Sequence, residues 1–250
     1  VYGGLNQNDY LLLKKLKNKH KTIITEFSLL NKPTSDLVRE KTENLFDFYW
    51  EGWIGRYYNN LDTTVNRNFP SWITRLYKQQ NKDKWPFKGA GIILIHKYGK
   101  VIVLEGNKHL NHPCPKIKTS NDFVKKYNLP TKINYTNWFD VVSSGETNSI
   151  AAEFNIDVNE KGDSILQRYS LNNTFPAIVS HEEDYRFYYF AGDFADNPVV
   201  KETAYFKGVK TIERWLNNDK TCNRTNFFWD YYTPLIEGVI KETKNTKNTK

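Results

Sequence analysis

Apolar residues first recur at a helical period between positions 6 and 17. Tyr10, Leu12, Leu13 and Leu16 gather on one side there while Lys14, Lys15 and Lys17 face the other. This predicts an amphipathic helix after the Gly3-Gly4 turn. The period then changes. Thr22-Ile-Ile-Thr-Glu-Phe27 is short, β-branched and apolar, the signature of a buried strand. Pro33-Thr-Ser-Asp36 supplies helix-start chemistry for a second helix over 37–46. Strand–helix alternation with short links predicts a parallel sheet with covering helices.

The middle of the chain reads as aromatic and irregular over 48–58, followed by a helix from Pro70-Ser-Trp72 to Tyr77. Two apolar runs, 91–96 and 101–104, flank a Gly-containing link and predict a β-hairpin. Further strands are expected over 132–142, 149–156, 176–180 and 185–191. Helices are expected over 162–169, 208–216 and 227–241, the last kinked at Pro234. The polar repeat 241–250 predicts a disordered tail. Internal repeats and Gly/Ser/Pro-rich linkers are missing. The expectation is therefore one α/β domain over 1–240, with a central, mostly parallel mixed sheet flanked by helices and a hairpin near 91–104. A (β/α) barrel is the alternative, since 250 residues is a typical length for one.

Composition changes this picture in three places. Aromatics make up 15% of the chain, so the core leans on Phe, Tyr and Trp as well as on aliphatics. The net charge of +8 is spread along the chain without a nucleic-acid-binding signature, which favours a solvated basic surface over a nucleic-acid partner. No apolar run approaches the ~20 residues of a membrane span, and a soluble protein is expected. The chain opens at Val1 and contains no Met. It reads as N-terminally truncated, exported to the periplasm or cell surface if a missing segment carries a signal, cytoplasmic otherwise. Cys114 and Cys222 form no CxxC pair, and one disulfide between them is compatible with export.

The densest candidate chemistry lies in Arg186-Phe-Tyr-Tyr-Phe-Ala-Gly-Asp-Phe-Ala-Asp-Asn-Pro198. An aromatic strand there meets a Gly and delivers Asp193 and Asp196. Ligands gather beyond the carboxyl ends of strands in α/β proteins, and turn formation is the plainer role for the same residues. Glu26 ends the first strand in the same way. With Asp193 and Asp196 it forms the candidate catalytic set, a carboxylate pair of the kind glycoside hydrolysis uses. Trp50-Glu-Gly-Trp-Ile-Gly-Arg-Tyr-Tyr58 sets flat rings beside glycines, an acid and a planar guanidinium. Trp50, Glu51, Trp53, Arg56 and Tyr57 are the candidate substrate-binding residues, and a packed aromatic corner is the competing reading. Arg56 is the expected ionic partner of Asp193. His109-Leu-Asn-His112-Pro-Cys114 holds three metal-capable side chains, too few for a structural site and interrupted by Pro113, so no metal is assigned. No dinucleotide fingerprint, Walker loop, nucleophile elbow or His-Glu-x-x-His occurs, and no cofactor is expected.

Gly3-Gly4, the helix after it, the strand from Lys21 to Phe27, Pro33-Thr34 and the next helix are together loosely similar to class I glutamine-amidotransferase-like domains, over about a fifth of the chain. The resemblance implies a flavodoxin-like sheet lacking its N-terminal half. Those domains place a Cys nucleophile in a strand-to-helix turn, and no Cys stands in the turn after Phe27 here. Two functional expectations result. One is a carbohydrate-active domain with a small-molecule or glycan ligand, glycoside-hydrolase-like or a catalytically inactive relative. The other is a non-catalytic, amidotransferase-like binding or assembly domain. The residues do not name the reaction.

Overall fold

The computed structural model describes residues 5–27, 29–30, 35–55, 58, 60–67, 69–105, 115–135, 137–194 and 227–245. Arg56, Tyr57, Asp196, both cysteines, His109, His112 and the expected helix 208–216 lie outside them.

The chain opens with α1 (Gln7–Asn18), β1 (Thr22–Glu26) and α2 (Asp36–Phe46). Asn6 and Asp9 form a reciprocal capping box on α1, and Ser35 caps α2 by accepting from the Val38 N–H. Only Leu13 of the α1 stripe is fully buried, and Leu12, expected on the same side, is exposed. Next come β2 (Phe48–Ile54), α3 (Ser71–Gln80) and the hairpin of β3 (Gly91–His96) with β4 (Val101–Glu105). The stretch read as irregular is thus largely a strand. Its buried positions alternate, but the outward Tyr49 and Trp53 are as aromatic as the buried Phe48 and Trp50, which masks the period. A bulge at Glu51 shifts the β7 register, with Trp50 facing Val142 and Gly52 facing Val141.

β5 (Lys116–Thr119) and α4 (Asn121–Tyr127) were not expected from the hydrophobic pattern, being short and Lys-rich. The expected strand 132–142 is two strands, β6 (Lys132–Asn134) and β7 (Phe139–Ser144). Then follow β8 (Ser149–Asn155), α5 (Glu160–Arg168), β9 (Thr174–His181) and β10 (Arg186–Phe190). β9 accommodates Pro176 at an irregularity, where the β8 register shifts between the Ala152–Ile178 and Glu153–Pro176 pairs. A π-helical turn (Phe228–Tyr232) leads into α6 (Thr233–Asn245). The wide turn falls where Pro234 removes an N–H from the helical ladder, and the Thr233 N–H bonds to Phe228 instead, so the expected kink is met by a π turn. α6 continues through Asn245, into the stretch expected to be a tail.

Two sheets result, not one. The larger runs β1-β10-β9-β8-β5-β6 and the smaller β4-β3-β2-β7. Among the described residues only β1 and β10 pair in parallel, and every other pair is antiparallel. The α/β class stands with a mixed sheet. The expected mostly parallel sheet does not, nor the flavodoxin-like one, and among the described residues neither sheet closes into a barrel. The hairpin belongs to the second sheet. Its strands are apolar at almost every position because both faces are covered. Ile92, Leu94, Ile102 and Leu104 join the main core, and Ile93, Ile95, Val101 and Val103 pack under α3 with Leu61, Phe69 and Ile73.

The sheets meet through aromatic rings. Phe48 of β2 lies 4.6 Å from Tyr189 of β10, and Phe139 of β7 stacks on Phe154 of β8 at 4.0 Å. The main chain seals the seam at one end, where the Asp140 N–H donates to the Ala191 carbonyl at 2.7 Å and Phe139 bridges Gly192.

Candidate functional site

The parallel pairing of β1 with β10 places Glu26 beside Phe190, so both strands end at the same edge of the larger sheet. Glu26 is 9% exposed, and the Tyr232 hydroxyl donates to its Oε1 at 2.6 Å. Three residues past Phe190 comes Asp193, half-buried, in a turn held by the stretch before β7. Its N–H donates to the Trp138 carbonyl at 3.4 Å, and the same carbonyl accepts from the Tyr135 hydroxyl at 2.9 Å. The chain dives back into the core at Phe194, whose ring stacks on Phe190. Gly192 is required at this corner, since a Cβ there would lie 2.6 Å from both the Phe194 ring and the Tyr135 hydroxyl.

Tyr232 ties the two acids together. Burial, the hydrogen bond to Glu26 with its charge, and then the charge of Asp193 all push its phenol well above the ordinary tyrosine range. Its neighbour Tyr231 points into the core and bonds Thr119 at 2.9 Å. Two adjacent tyrosines of the π turn therefore reach two different strands of the sheet.

Beside the Asp193 turn stands a group of three indoles. The Trp138 ring lies 4.3 Å from that of Trp53 on β2, and Trp53 lies 5.7 Å from Trp72 on α3. Trp72 is 40% exposed, and Trp53 and Trp138 are half-buried. A Cβ at Gly55 would lie 3.4 Å from the Trp138 indole, in ordinary contact with it.

The sequence-derived residues divide. Glu26 and Asp193 lie at the same end of the paired strands and both act on the Tyr232 phenol, and Trp53 stands next to the Asp193 turn through Trp138. Asp196, Arg56 and Tyr57 lie outside the described residues, and with Arg56 the ion pair expected for Asp193. Trp50 offers no open face: its ring is buried in the seam between the sheets and its Nε1 donates to Asp140. Glu51, at the bulge, pairs with Lys97 at 2.7 Å and accepts from the Ser143 hydroxyl at 3.4 Å. Tyr232, Trp138 and Trp72 were not singled out. Each stands in an aromatic-rich stretch, and nothing local marks it off from a core residue. Among the described residues no group of three or more His, Cys, Asp or Glu side chains could hold a metal ion, and no helix is long and apolar enough to cross a membrane.

No protein family matches the sequence, and no curated protein does either. Among solved structures, the chain is similar to the beta-galactosidase from Bacillus circulans sp. alkalophilus, with 13% identity and a TM-score of 0.40. The alignment covers 75% of this chain and 18% of that one. A superposition that loose transfers neither mechanism nor substrate.

Proposed function

We propose that this chain is a carbohydrate-binding module whose site lies at the shared end of β1 and β10. The observation that carries it is the indole group of Trp53, Trp72 and Trp138, joined directly to a turn that presents a half-buried carboxylate. A sugar ring has an apolar C–H face and an edge of hydroxyls. Indole planes suit the first, and carboxylates, which only accept, suit the second. With Glu26 as the second acid, the site has the residue types of a two-carboxylate glycosidase.

Binding and hydrolysis separate cleanly by experiment. A glycan array followed by titration of tryptophan fluorescence tests binding, and release of reducing sugar from the bound glycan tests hydrolysis. Trp72→Ala and Asp193→Asn are expected to weaken binding of any glycan found. A chain that binds no glycan overturns the proposal. A chain that binds without cleaving is an inactive, purely binding relative.

A further inference from the structure

We infer that Tyr232 is a positioning residue of this site, acting as one unit with Glu26 on the ligand's hydroxyl edge. The inference rests on the carbohydrate reading above and adds to it a residue from the far end of the chain. The Tyr232 proton is committed to Glu26 Oε1 at 2.6 Å, a short, charge-assisted bond. With its proton pointing there, the phenol oxygen meets any other group as an acceptor. Tyr232 is half-buried, whereas Tyr231 is wholly buried and bonded to Thr119, so the π turn gives one tyrosine to the core and the other to the rim of the site. π turns of this kind recur at functional sites because they reorient side chains without ending the helix. Phe190 meets the Tyr232 ring edge-on at 6.3 Å and Phe228 lies 5.7 Å away, which holds the ring in place. Asp193 is close enough to act on the same phenol. The ligand such a set recognises is a neutral sugar that donates hydroxyl hydrogens. Acidic sugars meet two carboxylates and are disfavoured.

The test is a double-mutant cycle on glycan affinity, read by tryptophan fluorescence with the neutral glycan that binds best. Tyr232→Phe and Glu26→Leu are each expected to weaken binding about tenfold, and the double variant no further, because each breaks the same bond. Trp72→Ala, acting through stacking, is expected to add its full loss to either. Additive losses for Tyr232→Phe and Glu26→Leu, or unchanged affinity for Tyr232→Phe, overturn the inference and leave the carbohydrate reading intact. So does equal affinity for a uronic-acid glycan. A wild-type chain that binds no glycan overturns both. If Tyr232→Phe fails to fold, 3-fluorotyrosine at position 232 keeps the shape and makes the phenol a stronger donor but a poorer acceptor. Altered affinity at constant melting temperature then supports the role, and unchanged affinity removes it.

Discussion

Trp50 and Asp140 stand 90 positions apart, yet the Trp50 indole N–H donates to Asp140 Oδ1 at 3.1 Å inside the seam between the two sheets. The Tyr189 hydroxyl donates to Oδ2 of the same carboxylate at 2.5 Å. One fully buried carboxylate thereby joins β2 and β7 of the smaller sheet to β10 of the larger. Burial and then the Asp140 charge hold the Tyr189 phenol well above its ordinary pKa, so it remains a donor.

Asp140→Ala leaves two buried donors without that acceptor. Each such loss costs about 1–3 kcal/mol, so the variant should lose about 2–5 kcal/mol in chemical denaturation. Asp140→Asn keeps one acceptor oxygen and turns an amide N–H toward a donor, and should fall between Asp140→Ala and the parent. A destabilisation below about 0.5 kcal/mol for Asp140→Ala would show that the seam is held by packing alone.

Gly52 follows the bulge with φ +149°, a backbone region that side chains rarely adopt. A Cβ there would stand 2.3 Å from the Ile95 carbonyl oxygen, a main-chain atom of the paired strand that cannot rotate away. Gly52→Ala should therefore separate β2 from β3 and cost upwards of about 2 kcal/mol, read as a lower denaturation midpoint at unchanged slope. Gly89, whose Cβ would meet nothing within 4 Å, is the control, and Gly89→Ala should be close to neutral.

These positions mark what was legible in the sequence. Thr22-Ile-Ile-Thr and the hairpin runs announce strands because β-branched, apolar residues bounded by turn formers have few alternatives. The pairing of β1 with β10, which sets Glu26 beside Phe190, was not legible, since nothing in either run names its neighbour. Sheet membership was not legible. Ile92 and Ile93 look alike in sequence, although one faces the main core and the other the α3 layer. β2 was hidden because its outward positions Tyr49 and Trp53 are aromatic like the buried Phe48 and Trp50, so burial alternates while hydrophobicity does not. Trp50 and Trp53 were equally good ligand candidates on composition. Only the long-range bond to Asp140 sorts the buried ring from the one beside the Asp193 turn.

Two carboxyls near the bulge should oppose each other in acid. Burial raises the pKa of Glu43 above its ordinary 4.5, despite the Trp50 N–H bonded to it at 2.8 Å and the nearby Arg39 and Lys97. The folded protein thus holds this proton more tightly than the unfolded chain does. That contribution is fully present below pH 4.5 and is lost as pH rises through the folded value. Asp47 is the reverse. Its bonds from the Thr147 hydroxyl and N–H depress its pKa, so its contribution is present above its ordinary 3.8 and is lost as pH falls through the depressed value. Glu43→Gln keeps an acceptor for Trp50 without the charge. It should stabilise the protein at pH 7 by no more than about 1 kcal/mol, the gain closing as pH falls through the raised folded value and gone below 4.5. A gain that grows in acid would reverse the sign and refute the assignment.

The three indoles should separate stability from recognition. Trp53 is half-buried between both cores, touching Trp138 at 4.3 Å and packing against residues of either cluster. Trp53→Ala opens a cavity and should cost about 3–5 kcal/mol, with glycan affinity lost along with the fold. Trp72 sits on the first turn of α3 with 40% of its surface exposed and touches the group only through Trp53. It is less buried than Trp53, so Trp72→Ala should lower stability by less than Trp53→Ala does. A stacked sugar, however, loses one of its faces, and affinity should drop by tenfold or more, since an aromatic contact contributes about 0.5–1.5 kcal/mol beyond the area it buries. Melting curves paired with fluorescence titration give both numbers from one preparation. If Trp72→Ala destabilises as much as Trp53→Ala, the trio is a core extension. If it melts like the parent and binds glycan like the parent, the platform lies elsewhere on the chain.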